Sequence, residues 1–435
     1  MLRRLSAALA VTVVFVVAAQ ADDRRGEAEK VLSTWYHMTL ELVRHTPTYT
    51  PPVASRTLAY MGVASYEAVA SGDPAHMRSL AGQLNGLSAL PARDPALTYD
   101  DAVVLDVVLG ALVRDLFANT GPTGHHAMAS LTAKLDAEAA AGLTPAVVKA
   151  SGAYGQSLAA AILAWSLNDG GAVIDNMGFP RAYTLNPDPG HWLPTSKIVL
   201  QQAPLLPDWG KNRPFAMTAG ACPLPPPPAY SEAKTSDFYK TAMEVYDTSR
   251  ALTDEKKLIA RFWSDDAMLS YTPAGHWIAI LDQVAAERGL ALEDHVDALA
   301  RIGVAMADAF IGVWQAKYQY DLIRPISYIR KVIDPKWDSL LTTPPFPEYP
   351  SGHSAQSAAA AEVLTALFGD AYQFTDESPT PDGSPQRSFA SFRAAADEAA
   401  MSRLYGGIHF LPAIEQGQAQ GRCIAAFAIA LKTRG

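Results

Sequence analysis

The sequence is short of the features that mark several common functional classes. It holds two cysteines, Cys222 and Cys423, and no C-x-x-C pair, so it has neither a zinc-finger pattern nor a dithiol redox motif. The two cysteines lie far apart, and whether they meet stays open at this level. Charge is also scarce. Only 18% of residues are charged, and 44 acidic against 35 basic side chains leave a net charge of −9. That balance argues against a general nucleic-acid binder, whose domain is usually basic. No run of 18 uninterrupted apolar residues occurs beyond the N-terminus, so no further membrane span is expected. Strand-like alternation is rare. What remains is a globular composition, 49% hydrophobic, in a chain long enough for a sizeable core.

The N-terminus reads as an export signal. Arg3 and Arg4 precede an apolar stretch from Leu5 to Ala18, and Ala19-Gln20-Ala21 is a small-x-small cleavage pattern before Asp22. Residues 1–21 are therefore set apart, and an exported, periplasmic or secreted protein is expected.

The rest is dominated by helical signals, predicted near 56–70, 100–117, 145–167, 233–248, 253–264, 274–288, 292–320, 351–368, 388–405 and 410–432. The fold class expected is all-α, with the helices packed in bundles. Residues 171–232 break the pattern with "LNPDPGHW", "KNRPF" and "CPLPPPPAY", too rich in Pro and Gly for a long helix. Trp192 and Trp209 within it favour a loop that walls a pocket over a plain linker. The organisation expected is an N-terminal helical part (22–170), this loop region, and a C-terminal helical part (233–435).

Three stretches of the C-terminal part carry chemistry. In "PEYPSGHSAQS", Ser351 and Gly352 open a helix, where free backbone N–H groups and a partial positive charge suit an oxyanion, and His353 stands beside them as a proton donor or acceptor. In "AKYQYDLIRPISY", Lys317 and Arg324 are seven apart and share a face if the helix persists. In "MSRLYGGIHFLPA", Arg403 ends one helix and His409 starts the next. Taken singly, each has an ordinary reading: a charged surface face with Asp321 pairing to Lys317 and Arg324, an N-cap with a surface His, a packed His.

Together and in this order they form K-x6-RP, PSGH and SR-x5-H. This pattern resembles the superfamily of type 2 phosphatidic acid phosphatases and vanadium-dependent haloperoxidases, and "FWSDDAMLSYTPAGHW" (262–277) is similar to a block in its soluble bacterial haloperoxidase-like branch. The resemblance implies an acid phosphatase/vanadium-dependent haloperoxidase fold with vanadate as cofactor and hydrogen peroxide as co-substrate. A halide and a small organic molecule would be the other partners, and hypohalous acid or a halogenated product would result. It implies that Lys317, Arg324, Ser351, Gly352 and Arg403 bind the oxyanion, that His409 bonds the vanadium, and that His353, His409 and Lys317 are catalytic. Asp266 is expected to orient Arg403, with Asp265 as the alternative. Phe346 is expected to keep charged groups away from His353. Members of the family are often homodimers. Two other readings stay open: a secreted acid phosphatase working through a phosphohistidine, and a non-catalytic oxyanion-binding protein.

One departure matters. The family often reads H-x3-D after its last motif, with the Asp holding the His. Here Ala413 fills that position, and Glu415 faces away from His409 on a helix. A backbone carbonyl or a carboxylate from elsewhere must orient the ring.

Overall fold

The computed structural model describes residues 2–172, 183–195, 203–378, 383 and 385–435, with side chains described from Arg24 onward. Among these, thirteen α-helices and two short strands follow one another. They are α1 (Leu2–His45), α2 (Pro51–Ala70), α3 (Asp101–Leu116), α4 (Pro122–Ala139), α5 (Pro145–Ser166), α6 (Asp237–Arg250), α7 (Asp254–Phe262), α8 (Thr272–Arg288) and α9 (Leu292–Tyr320). After these come α10 (Pro325–Val332), α11 (Gly352–Phe368), β1 (Phe374–Asp376), β2 (Arg387–Phe389), α12 (Phe392–Tyr405) and α13 (Leu411–Ile429). The strands form one antiparallel hairpin in register Phe374↔Phe389. No helix of the described residues is long and apolar enough to cross a membrane.

The helix starts are written in the sequence. Ser236, Thr253, Ser351 and Ser391 each cap a helix by accepting a first-turn N–H. Proline stands in the first two positions of α2, α4, α5, α8, α10 and α13. Helix α9 is buried almost all round, and its apolar residues join those of α2, α11 and α13 in one core cluster that runs from Ala28 to Leu431.

The close approach of α11 and α13 fixes the start of α11, where the PSGH stretch lies. A Cβ on Gly417 would stand 2.6 Å from the Ser351 carbonyl oxygen, and one on Gly421 would stand 2.0 Å from that of Ala355. Only glycine allows this contact. It holds the Ser351 backbone against α13, whose Ala413 carbonyl accepts the Ser351 N–H at 3.0 Å.

The irregular region is strapped to the elements that carry the site. Trp192 and Trp209 are both buried. The Trp192 N–H donates to Asp321 O at 2.9 Å, Leu205 N–H to Pro345 O at 2.9 Å, Tyr349 Oη to Pro225 O at 2.6 Å and Tyr320 Oη to Leu224 O at 2.9 Å. Asp308, at the middle of α9, accepts the N–H groups of Phe215, Ala216 and Met217 at 2.6, 2.9 and 2.7 Å. Cys222 and Cys423 form a disulfide that ties the region to α13.

Candidate active site

Lys317 lies in the last turn of α9, which ends because Asp321 takes the left-handed conformation (φ 46°). The helix does not persist to Arg324. Pro325 disfavours helical backbone in the preceding residue, and Arg324 becomes the extended N-cap of α10. The two cations still converge, by way of this turn rather than a shared helix face. Asp321 pairs with neither of them; its carboxylate meets His191 Nδ1 at 3.1 Å.

Both cations are fully buried and flank one ring. Lys317 Nζ lies 5.0 Å and the Arg324 guanidinium 4.9 Å from the centroid of Phe346. Lys317 gives its three protons to the carbonyls of Pro347, Glu348 and Pro350 at 2.9, 3.0 and 2.6 Å. Arg324 donates through Nε to Phe346 O at 2.9 Å and through Nη1 to Ile408 O at 2.8 Å. Burial, with Arg324 beside it, pushes Lys317 well below its ordinary pKa, while Glu348 pulls the other way. Burial brings Arg324 down to about 9, still a cation at neutral pH.

His409 sits just before α13, with Nε2 3.1 Å from Arg324 Nη1. Its other nitrogen answers the question raised by Ala413. His409 Nδ1 meets Glu348 Oε1 at 2.8 Å, and the same oxygen accepts the Phe410 N–H at 2.9 Å. Glu348 therefore takes the place of the missing Asp, from the strand of chain leading into PSGH. Burial pushes Glu348 up to about 7, against the pull of Arg324, Lys317 and the Phe410 N–H. Burial and the surrounding cations Arg324, Lys317 and Arg403 hold His409 well below its usual range. The consistent state is a neutral ring with its proton on Nδ1, donated to the carboxylate, and a lone pair on Nε2 facing the cations.

Ser351 caps α11. Its hydroxyl oxygen accepts from Ser354 Oγ at 2.7 Å and Ser354 N at 3.3 Å, so its own proton is left to donate outward. Gly352 begins the helix, buried with it. Across from His409, His353 Nε2 stands 2.9 Å from Arg403 Nη1. Burial and the Arg403 charge hold His353 well below its ordinary pKa, while a bond to the Ser264 backbone opposes them.

Comparison with known proteins identifies the family. A family model described as the VCPO second helical-bundle domain matches residues 297–434. The crystal structure of the first bacterial vanadium-dependent iodoperoxidase superposes with a TM-score of 0.84 and 39% identity, over 93% of this chain and 97% of that one. The chain belongs to the vanadium-dependent haloperoxidase family. The holo form of a bacterial vanadium-dependent chloroperoxidase shares the fold, with a TM-score of 0.69 at 18% identity over 89% of this chain and 92% of that one. A search of curated protein sequences gives no match.

The donor set of this haloperoxidase suits vanadate. Arg324 Nη2 and Arg403 Nη2 are buried and have no hydrogen-bond partner. Two buried guanidinium donors with no protein partner are costly without an anion to receive them. Together with the Ser351 hydroxyl and the start of α11 they offer fixed donors for several oxygens, beside the unprotonated Nε2 of His409.

Two expectations need correction. Asp266 is exposed and makes no ion pair with Arg403. The buried residue is Asp265, which adopts φ 49°, turns its carboxylate inward and leaves Asp266 outward. Asp265 places Oδ2 3.9 Å from His353 Nε2 and Oδ1 3.0 Å from His276 Nδ1. Phe346 does not isolate His353 from charge. It lies between Lys317 and Arg324, while Arg403 and Asp265 stand next to His353.

The sequence does not mark Glu348 as a site residue, and His276, which follows a Gly, reads equally as lining the entrance or as packing. Glu348 lies inside the PSGH stretch, framed by Pro347 and Pro350, and its position there is the one available signal.

Proposed function

We propose that the cage formed by Lys317, Arg324, Ser351, Gly352, Arg403 and His409 holds vanadate, and that the chain uses it to oxidise halide with hydrogen peroxide. The observation that carries this reading is the Glu348–His409 contact, which ties up Nδ1 and leaves the Nε2 lone pair facing Arg324, whose Nη1 lies 3.1 Å away. Vanadate, when bound, supplies a Lewis-acid centre that activates peroxide toward halide. His409 offers Nε2 to the vanadium. Arg324 and Arg403 neutralise the oxyanion and hold its orientation. Ser351 donates a hydroxyl proton. Lys317 acts chiefly as a fixed charge, because its protons are held by carbonyls and direct donation requires it to release one. His353, kept neutral by burial and Arg403, takes up and returns a proton at Nε2.

The halide proposed is iodide. The relative at 39% identity is a bacterial vanadium-dependent iodoperoxidase, and iodide is the halide that surrenders electrons most readily. Export is proposed as well. It rests on Arg3, Arg4 and the apolar run that follows, together with a disulfide that suits an oxidising compartment.

A phosphatase reading draws on the same contact, since Glu348 orients His409 equally well as a nucleophile toward a phosphate ester. Residues 22–435, loaded with orthovanadate, should oxidise iodide with peroxide faster than bromide or chloride. The vanadate-free chain should release little phosphate from p-nitrophenyl phosphate. Efficient phosphate release, with no vanadate-dependent halide oxidation, would establish the phosphatase instead.

A further inference from the structure

A second cluster of buried polar groups lies where the irregular region meets α2 and α9. It surrounds a small cavity lined by Arg56 on α2, Asp169 just after α5, Trp209, Asn212 and Arg213, and Ile311 on α9. None of these residues belongs to the oxyanion cage. The cavity leaves about 10 Å3 for the centre of a water-sized sphere, room for one small particle and too little for a tetrahedral oxyanion. Its walls are fixed. The turn Trp209–Lys211 presses so closely on α9 that a Cβ on Gly210 would stand 2.3 Å from the Gln315 nitrogen. The Arg213 N–H donates to Asp169 O at 2.8 Å. The N–H groups of Phe215, Ala216 and Met217, just beyond, are held by Asp308.

The hydrogen-bonding groups around this cavity do not balance. Trp209 Nε1, Asn212 Nδ2 and Arg213 Nε are buried donors with no protein partner. The Asp169 carboxylate is already filled. Its Oδ2 accepts from Arg56 Nε at 2.5 Å and Tyr60 Oη at 2.7 Å, and its Oδ1 accepts the Gly171 and Ala172 N–H groups at 2.8 and 3.2 Å. Arg213 spends Nη2 on Tyr60 Oη and the Trp165 carbonyl at 3.0 and 3.1 Å, which leaves Nε over. Asn212 Nδ2 and the Arg56 guanidinium border one spot, since a Cβ on Gly171 would stand 3.1 Å from the first and 2.8 Å from Arg56 Nε. Buried donors without an acceptor are costly. A water molecule has two lone pairs and cannot receive three donors. A monatomic anion can, because it accepts from any direction. Two guanidinium groups against one carboxylate in the lining favour an anion further.

We propose that this cavity binds one chloride or bromide ion, held by the side-chain N–H groups of Trp209, Asn212 and Arg213. The ion is not the substrate. Its site shares no residue with the cage, and iodide is the larger ion. It completes the hydrogen bonding of the wall and stitches the irregular region to α2 and to α9, the helix that carries Lys317. The inference is independent of the reaction proposed above, because it uses no residue of the cage.

Two measurements test it. Crystals of the unmutated chain soaked in bromide, with data collected at the bromine absorption edge, should show an anomalous peak in this cavity within hydrogen-bonding reach of the three donors. In solution, thermal unfolding is followed at constant ionic strength, with gluconate replaced by chloride or bromide and the cage saturated with phosphate. Tm should rise with the logarithm of halide concentration once the site fills. Trp209→Phe removes one donor and keeps a ring, and should need about tenfold more bromide for the same rise. Its vanadate affinity should stay within about twofold of the unmutated chain, as expected for separate sites. Density in the cavity without an anomalous signal would identify a water and overturn the proposal. An anomalous peak with no halide-dependent Tm, binding at crystal concentration only, would overturn it too. So would a halide response unchanged in Trp209→Phe. The crystal measurement needs no variant, so it decides even where Trp209→Phe fails to fold.

Discussion

Glu348→Gln is the sharpest perturbation of the site, because two effects of opposite sign meet in it. The carboxylate faces His409 Nδ1 at 2.8 Å and is fully buried. Its charge stands across the imidazole ring, roughly 7 Å from an oxyanion at Nε2. Well above the Glu348 pKa of about 7, where the carboxylate is fully ionised, removing one charge at that distance favours anion binding by roughly 2 kcal/mol at an effective dielectric of about 20. The amide also replaces a charged acceptor by a neutral one, which weakens the hold on Nδ1–H by about 1–2 kcal/mol. The two nearly cancel in the affinity for vanadate alone, so that number is uninformative. The ratio of vanadate to phosphate affinity separates them. Both anions feel the same field, but only vanadate bonds to Nε2. The ratio should fall by about 5–30-fold in Glu348→Gln. Equilibrium dialysis, with vanadium determined by elemental analysis and phosphate as competitor, measures it. A ratio within twofold of the unmutated chain would refute Glu348 as the residue that orients His409.

Three further outcomes follow from the geometry. His353→Ala should retain vanadate yet lose about 100-fold or more in kcat, the usual range for a general acid–base group, in a steady-state halide oxidation assay. His295 is buried between Glu29 and Asp282 at 3.1 and 3.3 Å. Burial opposes its charge, but the two carboxylates raise its pKa to about 9. Its contribution is therefore complete below the unfolded-state value of about 6.5 and is lost as pH rises through about 9. It amounts to about 3 kcal/mol, less a discount for the partly exposed carboxylates. His295→Gln should lower Tm at pH 6 and make little difference at pH 10. Replacing both Cys222 and Cys423 by Ser frees a loop of about two hundred residues and should cost about 2–5 kcal/mol by denaturant unfolding, without abolishing vanadate binding.

The helices were legible because their local signals agree. The run 292–320 has its apolar periodicity bounded where α9 begins and ends, and Ser351 announces α11 by its cap. The residues of the cage were legible because their types and spacings form three motifs in a fixed order. Less legible were features set by contacts between distant segments. Helix α4 has a largely exposed surface and a weak apolar face, so its pattern did not stand out. Helix α10 begins at Pro325, and a proline that bars α9 from continuing is also a favoured first-turn residue for the next helix. Glu348 reaches a histidine 61 positions away, and His276 reaches Asp376 across 100. No local periodicity encodes such pairs. The choice between Asp265 and Asp266 depended on one left-handed residue in a loop, which two adjacent aspartates do not reveal.

The central claim is that His409 Nε2 bonds vanadium within a cage of fixed donors. Vanadium retained after gel filtration of the orthovanadate-loaded chain, compared between the unmutated protein and His409→Ala, tests it most directly. The account requires stoichiometric vanadium in the first, displaced by excess phosphate, and none above background in the second. Equal retention by both would contradict it.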